Sequence, residues 1–343
     1  EKLLQMAEKA HQAGIELFVL DDGWFGKRNN DTCSLGDWKV NYDKLPSGID
    51  GLAEKINKIG MKFGLWFEPE MISPDSDLYR EHPDWAIHID EREGVQSRNQ
   101  MVLDLSRDEV CEYVINAVSD ILANANIEYV KWDMNRQLTD MPRLGYNHEY
   151  TLGYYKIMSA ITEKFPNILF EGCSAGGGRF DAGVLAYMPQ IWTSDNSDAI
   201  ARLKMQYSTS MCYPVYSISS HVTASPNHQC GRVTSLKTRA DVAYCGTFGY
   251  ELDVTKMSDE EFEEIKAQIE FEKRIQDLMC DGDLYRLINP YETNYCSWEV
   301  ISKDKKHIFV MACKVLAVAQ TKSEKVKLQG LDVNKRYRNM LTE

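Results

Sequence analysis

No apolar run in the 343-residue sequence approaches the roughly 20 residues that a membrane helix needs, so no membrane span is expected. Positive charge is in short supply. The 39 Lys and Arg stand against 52 Asp and Glu, for a formal net charge of −13, and the basic residues are scattered. Without a basic patch the electrostatic footprint of a nucleic-acid or anionic-membrane binder is missing, which leaves a neutral, polar partner as the expectation. The nine cysteines include no Cys-x-x-Cys pair, and the seven histidines no His-x-x-x-His spacing. An odd number of widely spaced cysteines reads as free thiols in a reducing compartment, hence a cytoplasmic protein, rather than as a disulfide scaffold or zinc site. The opening Glu1-Lys2-Leu3 has neither an initiator methionine nor a signal-peptide pattern, so a truncated, soluble chain is expected.

With 43% hydrophobic residues, a chain of this length can build one large domain and a smaller appendage. Seven short apolar runs read as strands: Glu16–Leu20, Lys62–Phe67, Met101–Leu105, Glu128–Trp132, Ile168–Phe170, Gln190–Thr193 and Val215–Ile218. Helix-like stretches separate and follow them: Gly51–Ile59, Arg107–Ala125, His148–Phe165, Ala199–Met211, Ser235–Cys245 and Ser258–Met279. Such alternation predicts an α/β fold with a parallel sheet.

Seven strands is one short of a (β/α)8 TIM barrel, and the chain opens on a helical pattern (Leu3, Leu4, Met6, Ala7, Ala10), so the expected fold is such a barrel without its first strand. Asp21, Asp22, Glu68, Asp104, Asp133, Glu171 and Asp195 fall at or near strand ends, the face that carries the active site in this fold. A doubly wound open sheet would gather its functional groups at one crevice instead. After about Asp281 the texture changes to the strand-like runs Tyr295–Ile301, Ile308–Cys313 and Leu316–Gln320. The expected domains are therefore 1–280, the catalytic barrel, and 281–343, the start of a C-terminal β-sandwich.

Two strand-end aspartates invite a catalytic reading. In Tyr129-Val130-Lys131-Trp132-Asp133-Met134-Asn135-Arg136 a strand delivers Asp133 among cations, which favour the ionised form that a nucleophile needs, although a plain ion pair would also account for it. Trp192-Thr193-Ser194-Asp195-Asn196-Ser197-Asp198 offers a second carboxyl, and glycoside hydrolysis requires two that face each other. One of these aspartates would cap the helix starting near Ala199. Asp198 fits the cap better, leaving Asp195 for chemistry. Asp21-Asp22 beside Trp24 and Phe25 is the mixture of acids and rings that holds sugars; a metal cage would need more clustered oxygens, and none is expected. The glycine run Cys173–Arg179 lacks the Gly-Lys-Ser/Thr ending of a phosphate loop and the spacing of a dinucleotide fingerprint, so no cofactor is expected.

Five segments together resemble bacterial α-galactosidases of glycoside hydrolase family 36, of the melibiase or raffinose type: Leu20–Phe25, Trp66–Met71, Lys131–Arg136, Cys173–Arg179 and Trp192–Asn196. The resemblance covers roughly residues 1–280 and implies a retaining mechanism with Asp133 as nucleophile and Asp195 as acid/base. It places Asp21, Asp22, Trp66, Arg98, Lys131, Trp132, Asn135, Cys173 and Trp192 against galactose. It also implies α-galactoside oligosaccharides such as melibiose and raffinose as substrates, a homo-oligomer, tetrameric in the family, and a large N-terminal domain not contained in this chain. A related α-N-acetylgalactosaminidase or α-glucosidase, an α-galactosyl transglycosylase, and a non-catalytic sugar-binding barrel are the alternatives. The last would be expected to lack one of the two acids.

Overall fold

In the computed structural model, which describes residues 1–92, 94–317, 319–320 and 325–340, the opening amphipathic pattern forms helix α1 (Lys2–Ala13). It buries Ala7, Ala10 and Ala13 along one face and stops at Gly14, whose φ of 97° lies in the left-handed region that glycine tolerates. The chain divides into two compact units, Glu1–Trp192 and Thr193–Glu343.

The first unit is built on parallel strands. After β1 (Leu17–Leu20), helix α2 (Gly48–Ile59) leads into β2 (Lys62–Phe67), and the two strands pair in parallel. An excursion follows, in which β3 (Met71–Ile72) pairs antiparallel with β4 (Met101–Val102) and the short helix α3 (Asp77–Glu81) lies between them. The parallel series resumes with α4 (Asp108–Asn124), β5 (Tyr129–Trp132), α5 (Tyr146–Lys164), β6 (Leu169–Gly172), α6 (Ala182–Leu185) and β7 (Gln190–Trp192). Within this unit the order is β1-β2-β5-β6-β7, each strand parallel to its neighbours. Parallel pairing demands crossover segments that cover the sheet, so β2 is buried from Phe63 to Phe67. Close packing needs Gly153 in α5, where a Cβ would fall 1.8 Å from the carbonyl oxygen of Leu105.

In the second unit α7 (Ala199–Thr209) precedes β8 (Ile218–Thr223), and α8 (Leu236–Ala243) leads to β9 (Thr247–Glu251), parallel to β8. Helix α9 (Asp259–Asp281) starts in a reciprocal cap between Ser258 and Glu261. The antiparallel strands β10 (Asp283–Ile288), β11 (Tyr295–Ile301) and β12 (Ile308–Lys314) then form a three-stranded sheet. Among the described residues no helix is long and apolar enough to cross a membrane.

Among the described residues seven strands are parallel, the number expected, but they are not the seven expected. Among the described residues the run Met101–Leu105 joins no parallel pair; Met101 and Val102 pair antiparallel with Ile72 and Met71, and Leu103 makes a single antiparallel bridge to Ala86. Its apolar residues are buried, and burial alone makes a short loop run look like a strand. The strand Thr247–Glu251 was not anticipated, because a glycine interrupts it and its residues are half-buried or exposed. Val215–Ser217 forms a 3-10 turn, and the strand begins only at Ile218. In the C-terminal sheet Asp283–Ile288 was likewise missed. Of the expected strand Leu316–Gln320, Val318 lies outside the described residues and its described neighbours are not extended.

Candidate active site

Strand parity sorts the residues of β5. Side chains alternate between faces, so Lys131 and Asp133 share one side while Val130 and Trp132 take the other. Asp133 is 5% exposed and receives three donors: Trp66 Nε1 at 3.2 Å and Asn135 Nδ2 at 2.7 Å on Oδ2, and its neighbour Met134 N at 2.8 Å on Oδ1. Trp66 is held in turn. Its ring stacks on Phe25 at 6.3 Å, and its carbonyl accepts the Trp24 indole N–H at 2.9 Å. Its own N–H is thereby directed at the carboxylate.

Asn135 is oriented from the other end. Arg98 Nη1 donates to its Oδ1 at 2.6 Å, which leaves the amide NH2 to face Asp133. Arg98 and Asn99 both have positive φ, 53° and 59°, in a tight turn where Ser97 and Gln100 exchange backbone hydrogen bonds of 3.1 and 3.2 Å. This turn precedes β4, in the excursion off the parallel sheet. It also delivers Gln100, which donates to Glu68 Oε1 at 3.0 Å; the same oxygen accepts the Asn135 backbone N–H. Glu68 is 1% exposed, and burial, then the charge of Asp133, push its carboxyl up to about 8.

Lys131 Nζ lies 3.0 Å from Asp21 Oδ2 and 5.6 Å from the Trp192 ring centroid. Burial pulls its ammonium down, but Asp21, Cys173, Glu171 and Asp133 outweigh burial and hold it above its ordinary range. Asp22 is gripped by Arg28, whose Nε and Nη2 reach its two oxygens at 2.9 to 3.1 Å. Cys173 is 3% exposed, and burial and the Asp133 carboxylate keep its thiol well above its usual range. Asp21, Asp22, Trp66, Arg98, Lys131, Asp133, Asn135, Cys173 and Trp192 all belong to the first unit.

Trp132 does not join them. It is fully buried behind the strand, and its indole N–H donates to Glu70 Oε1 at 2.9 Å. Glu70 also accepts from Tyr150 Oη at 2.7 Å and from both Arg179 Nη atoms at 2.8 Å. A side chain so enclosed cannot touch a sugar, which corrects its placement among the galactose contacts. Asp104 is another strand-end acid that serves elsewhere, accepting from Tyr146 Oη at 2.7 Å and Ser106 Oγ at 2.6 Å.

Asp195 lies in the second unit, half-buried, with its carbonyl accepting from Gln229 Nε2 at 2.7 Å. Asp198 caps α7 through a 2.9 Å bond from Ala201 N, as its position before the helix predicted. Among the described residues no three His, Cys, Asp or Glu side chains are grouped to hold a metal ion.

Gly172-Cys173-Ser174-Ala175-Gly176 also spells Gly-x-Ser-x-Gly after a strand. A serine nucleophile on such an elbow occupies the strained position with a helix directly behind it. Here the positive φ, 45°, falls on Ala175, and α6 begins only at Ala182. Glu68, Gln100 and Arg28 are the site residues that pattern reading did not assign. Arg28 follows Asp22 by six positions inside a turn, and Gln100 carries no sequence signal. Glu68 ends a strand but stood undistinguished among the other acids.

Parallel strands, intervening helices and strand-end carboxylates are the features of a (β/α)8-barrel enzyme. The structure of α-galactosidase AgaA from Geobacillus stearothermophilus superposes with a TM-score of 0.96 at 52% identity, covering 97% of this chain and 48% of that one. The family profile Melibiase matches residues 1–282, and that of the glycosyl hydrolase family 36 C-terminal domain matches residues 295–343. The chain belongs to the melibiase family. It is 52% identical to AgaA over 345 residues, 98% of this chain and 47% of the relative, and 48% identical to α-galactosidase Mel36A from Lactobacillus acidophilus, covering 100% of this chain and 48% of the relative. The chain thus spans about half the length of these curated relatives.

Proposed function

We propose that this chain is the catalytic part of a retaining α-galactosidase that removes terminal α-linked galactose from oligosaccharides such as melibiose and raffinose. The observation that carries the reading is the setting of Asp133, a buried carboxylate at the end of β5 with three hydrogen-bond donors. The relatives' names support it, as do structures of AgaA variants in complex with raffinose and with stachyose. In this mechanism Asp133 attacks the anomeric carbon as the glycosidic C–O bond breaks, and Asp195 gives its proton to the departing oxygen. Water then attacks the galactosyl ester, Asp195 takes the water's proton, and Asp133 is released as carboxylate. The mechanism requires the two carboxyls to lie about 5–5.5 Å apart.

Asp21, Asp22, Trp66, Arg98, Lys131, Asn135, Cys173 and Trp192 are the proposed galactose contacts. Residues 1–280 are proposed as the barrel and 281–343 as the start of a β-sandwich, a division supported by the two family matches and by the antiparallel sheet of β10 to β12. A cytoplasmic homo-oligomer is proposed for the whole protein. The nine cysteines, none of them disulfide-bonded, support the reducing compartment.

Turnover of aryl α-galactoside, α-glucoside and α-N-acetylgalactosaminide by the full-length protein, with Asp133→Ala as control, tests the proposal. Galactoside hydrolysis should dominate and fall by several orders of magnitude in the variant. Preference for another glycoside overturns the specificity, and activity that survives the substitution overturns the nucleophile.

A further inference from the structure

Two buried carboxyls meet at the ends of β2 and β5, and they are not treated alike. Asp133 has three N–H donors, and Lys131 on the same strand face contributes a nearby positive charge. Glu68, 1% exposed, is held by neutral donors, the side chain of Gln100 and the backbone N–H of Asn135 among them, and among the described residues no cation pairs with it. The groups that face this corner are Asp133 and Lys131 from β5, the Cys173 thiol from beyond β6, and Gln100 and Arg98 from the turn before β4. Arg98 reaches Asn135 rather than Glu68. Asn135 is common to both carboxyls: its backbone is fixed by Glu68 while its amide donates to Asp133.

We propose that Glu68 is a positioning residue for Asp133, acting through Asn135, and that it performs this task as a neutral acid. The proposal rests on the galactosidase reading for its kinetic consequence but not for its proton. Two adjacent buried carboxyls do not both ionise readily, and the proton settles on the one without a cation. Burial, then the Asp133 charge, push Glu68 up to about 8, in the same direction. In neutral solution Glu68 therefore keeps its proton and adds no negative charge beside the group that must attack. When sugar excludes water from the corner, a second anion there becomes costlier, so substrate binds the protonated form better. Productive binding then falls as pH rises through the Glu68 titration.

Glu68→Gln keeps an acceptor for Asn135 and removes the titration, whereas Glu68→Met removes both. The full-length protein is assayed on an aryl α-galactoside whose leaving group departs without protonation, which suppresses the Asp195 limb. The wild type is expected to lose kcat/KM above about pH 8, Glu68→Gln to lose that decline, and Glu68→Met to drop in kcat by about 100-fold with KM little changed. An alkaline decline that persists unchanged in Glu68→Gln, or a Glu68→Met variant with wild-type kcat, overturns the proposal. Difference infrared spectroscopy needs no turnover. A protonated carboxyl band that titrates near pH 8, vanishes in Glu68→Gln and titrates lower in Asp133→Asn supports the proton assignment. A Glu68 band seen only at acid pH overturns it. If no glycoside is turned over at all, the galactosidase reading fails while the infrared result still decides where the proton sits.

Discussion

Lys131 and Asp21, 110 residues apart in sequence, form a 3.0 Å ion pair at the ends of the two strands that flank β2. Three elements must therefore be in register before either side chain has its partner. Because the surrounding acids hold Lys131 above its ordinary range, it stays charged wherever the protein is folded. With Lys131→Met the galactoside kcat/KM is expected to fall by about 10²–10³-fold, the loss typical of removing one preorganised charged donor. Lys131→Arg should not restore it, since a planar fork cannot replace a point charge. Steady-state kinetics check this, and a value for Lys131→Met within about threefold of wild type rules Lys131 out of the binding chemistry.

Glu70 is fully buried and answers Arg179 with two 2.8 Å bonds, while the Arg179 guanidinium lies 4.2 Å from the Tyr154 ring centroid. Removing one partner strands the other. Arg179→Met is expected to lower stability by about 3–5 kcal/mol, and Glu70→Gln combined with Arg179→Met to cost less than Arg179→Met alone. Urea unfolding of the single and double variants measures the difference; additive losses would mean the pair is not coupled.

Glu68 also predicts how stability depends on pH. Its carboxyl titrates near 8 in the fold against an ordinary value of 4.5, so between these values the native state binds more protons than the unfolded chain. The stabilisation is complete below about pH 4.5 and is lost as pH rises through about 8. Relative to wild type, Glu68→Gln should therefore gain stability as pH is raised across this window. Urea midpoints at a series of pH values test it, and parallel curves for the two proteins would contradict it.

Asp195 and Asp198 should separate by phenotype. Asp198 caps α7 and meets Arg232 Nε at 3.1 Å, so Asp198→Ala is expected to cost about 1–2 kcal/mol of stability. Asp195→Ala should abolish hydrolysis of galactosides with poor leaving groups, and azide should rescue part of the rate on activated ones. A thermally normal Asp198→Ala variant, or an Asp195→Ala variant of unchanged activity, would refute this division of labour.

The helices and most of the strands were legible because periodicity and burial coincide in them. In Lys62–Phe67 the apolar run and the strand coincide, and every residue after Lys62 is buried. Met101–Leu105 misled because buried loop residues and buried strand residues have the same composition, and Thr247–Glu251 escaped because partial exposure erased its apolar signature. At the site, adjacency in sequence carried Lys131, Asp133 and Asn135. Trp132 was misplaced for the same reason, since neighbours on a strand point oppositely. Glu68 and Gln100 could not be paired by reading, because their contact depends on a turn held by left-handed Arg98 and Asn99.

Trp132 and Asp133 stand side by side yet answer to different groups, one to Glu70 behind the strand and the other to Trp66 and Asn135 in front of it. The two faces of the strand should therefore accept substitutions as two separate sets. Behind it, Trp132, Glu70, Tyr150 and Arg179 share one buried charge pair, so a lineage that loses Arg179 should lose the Glu70 carboxylate as well, and substitutions should arrive there in sets. In front, Asp133, Trp66, Asn135 and Arg98 form a second bonded set, which can change without disturbing the first.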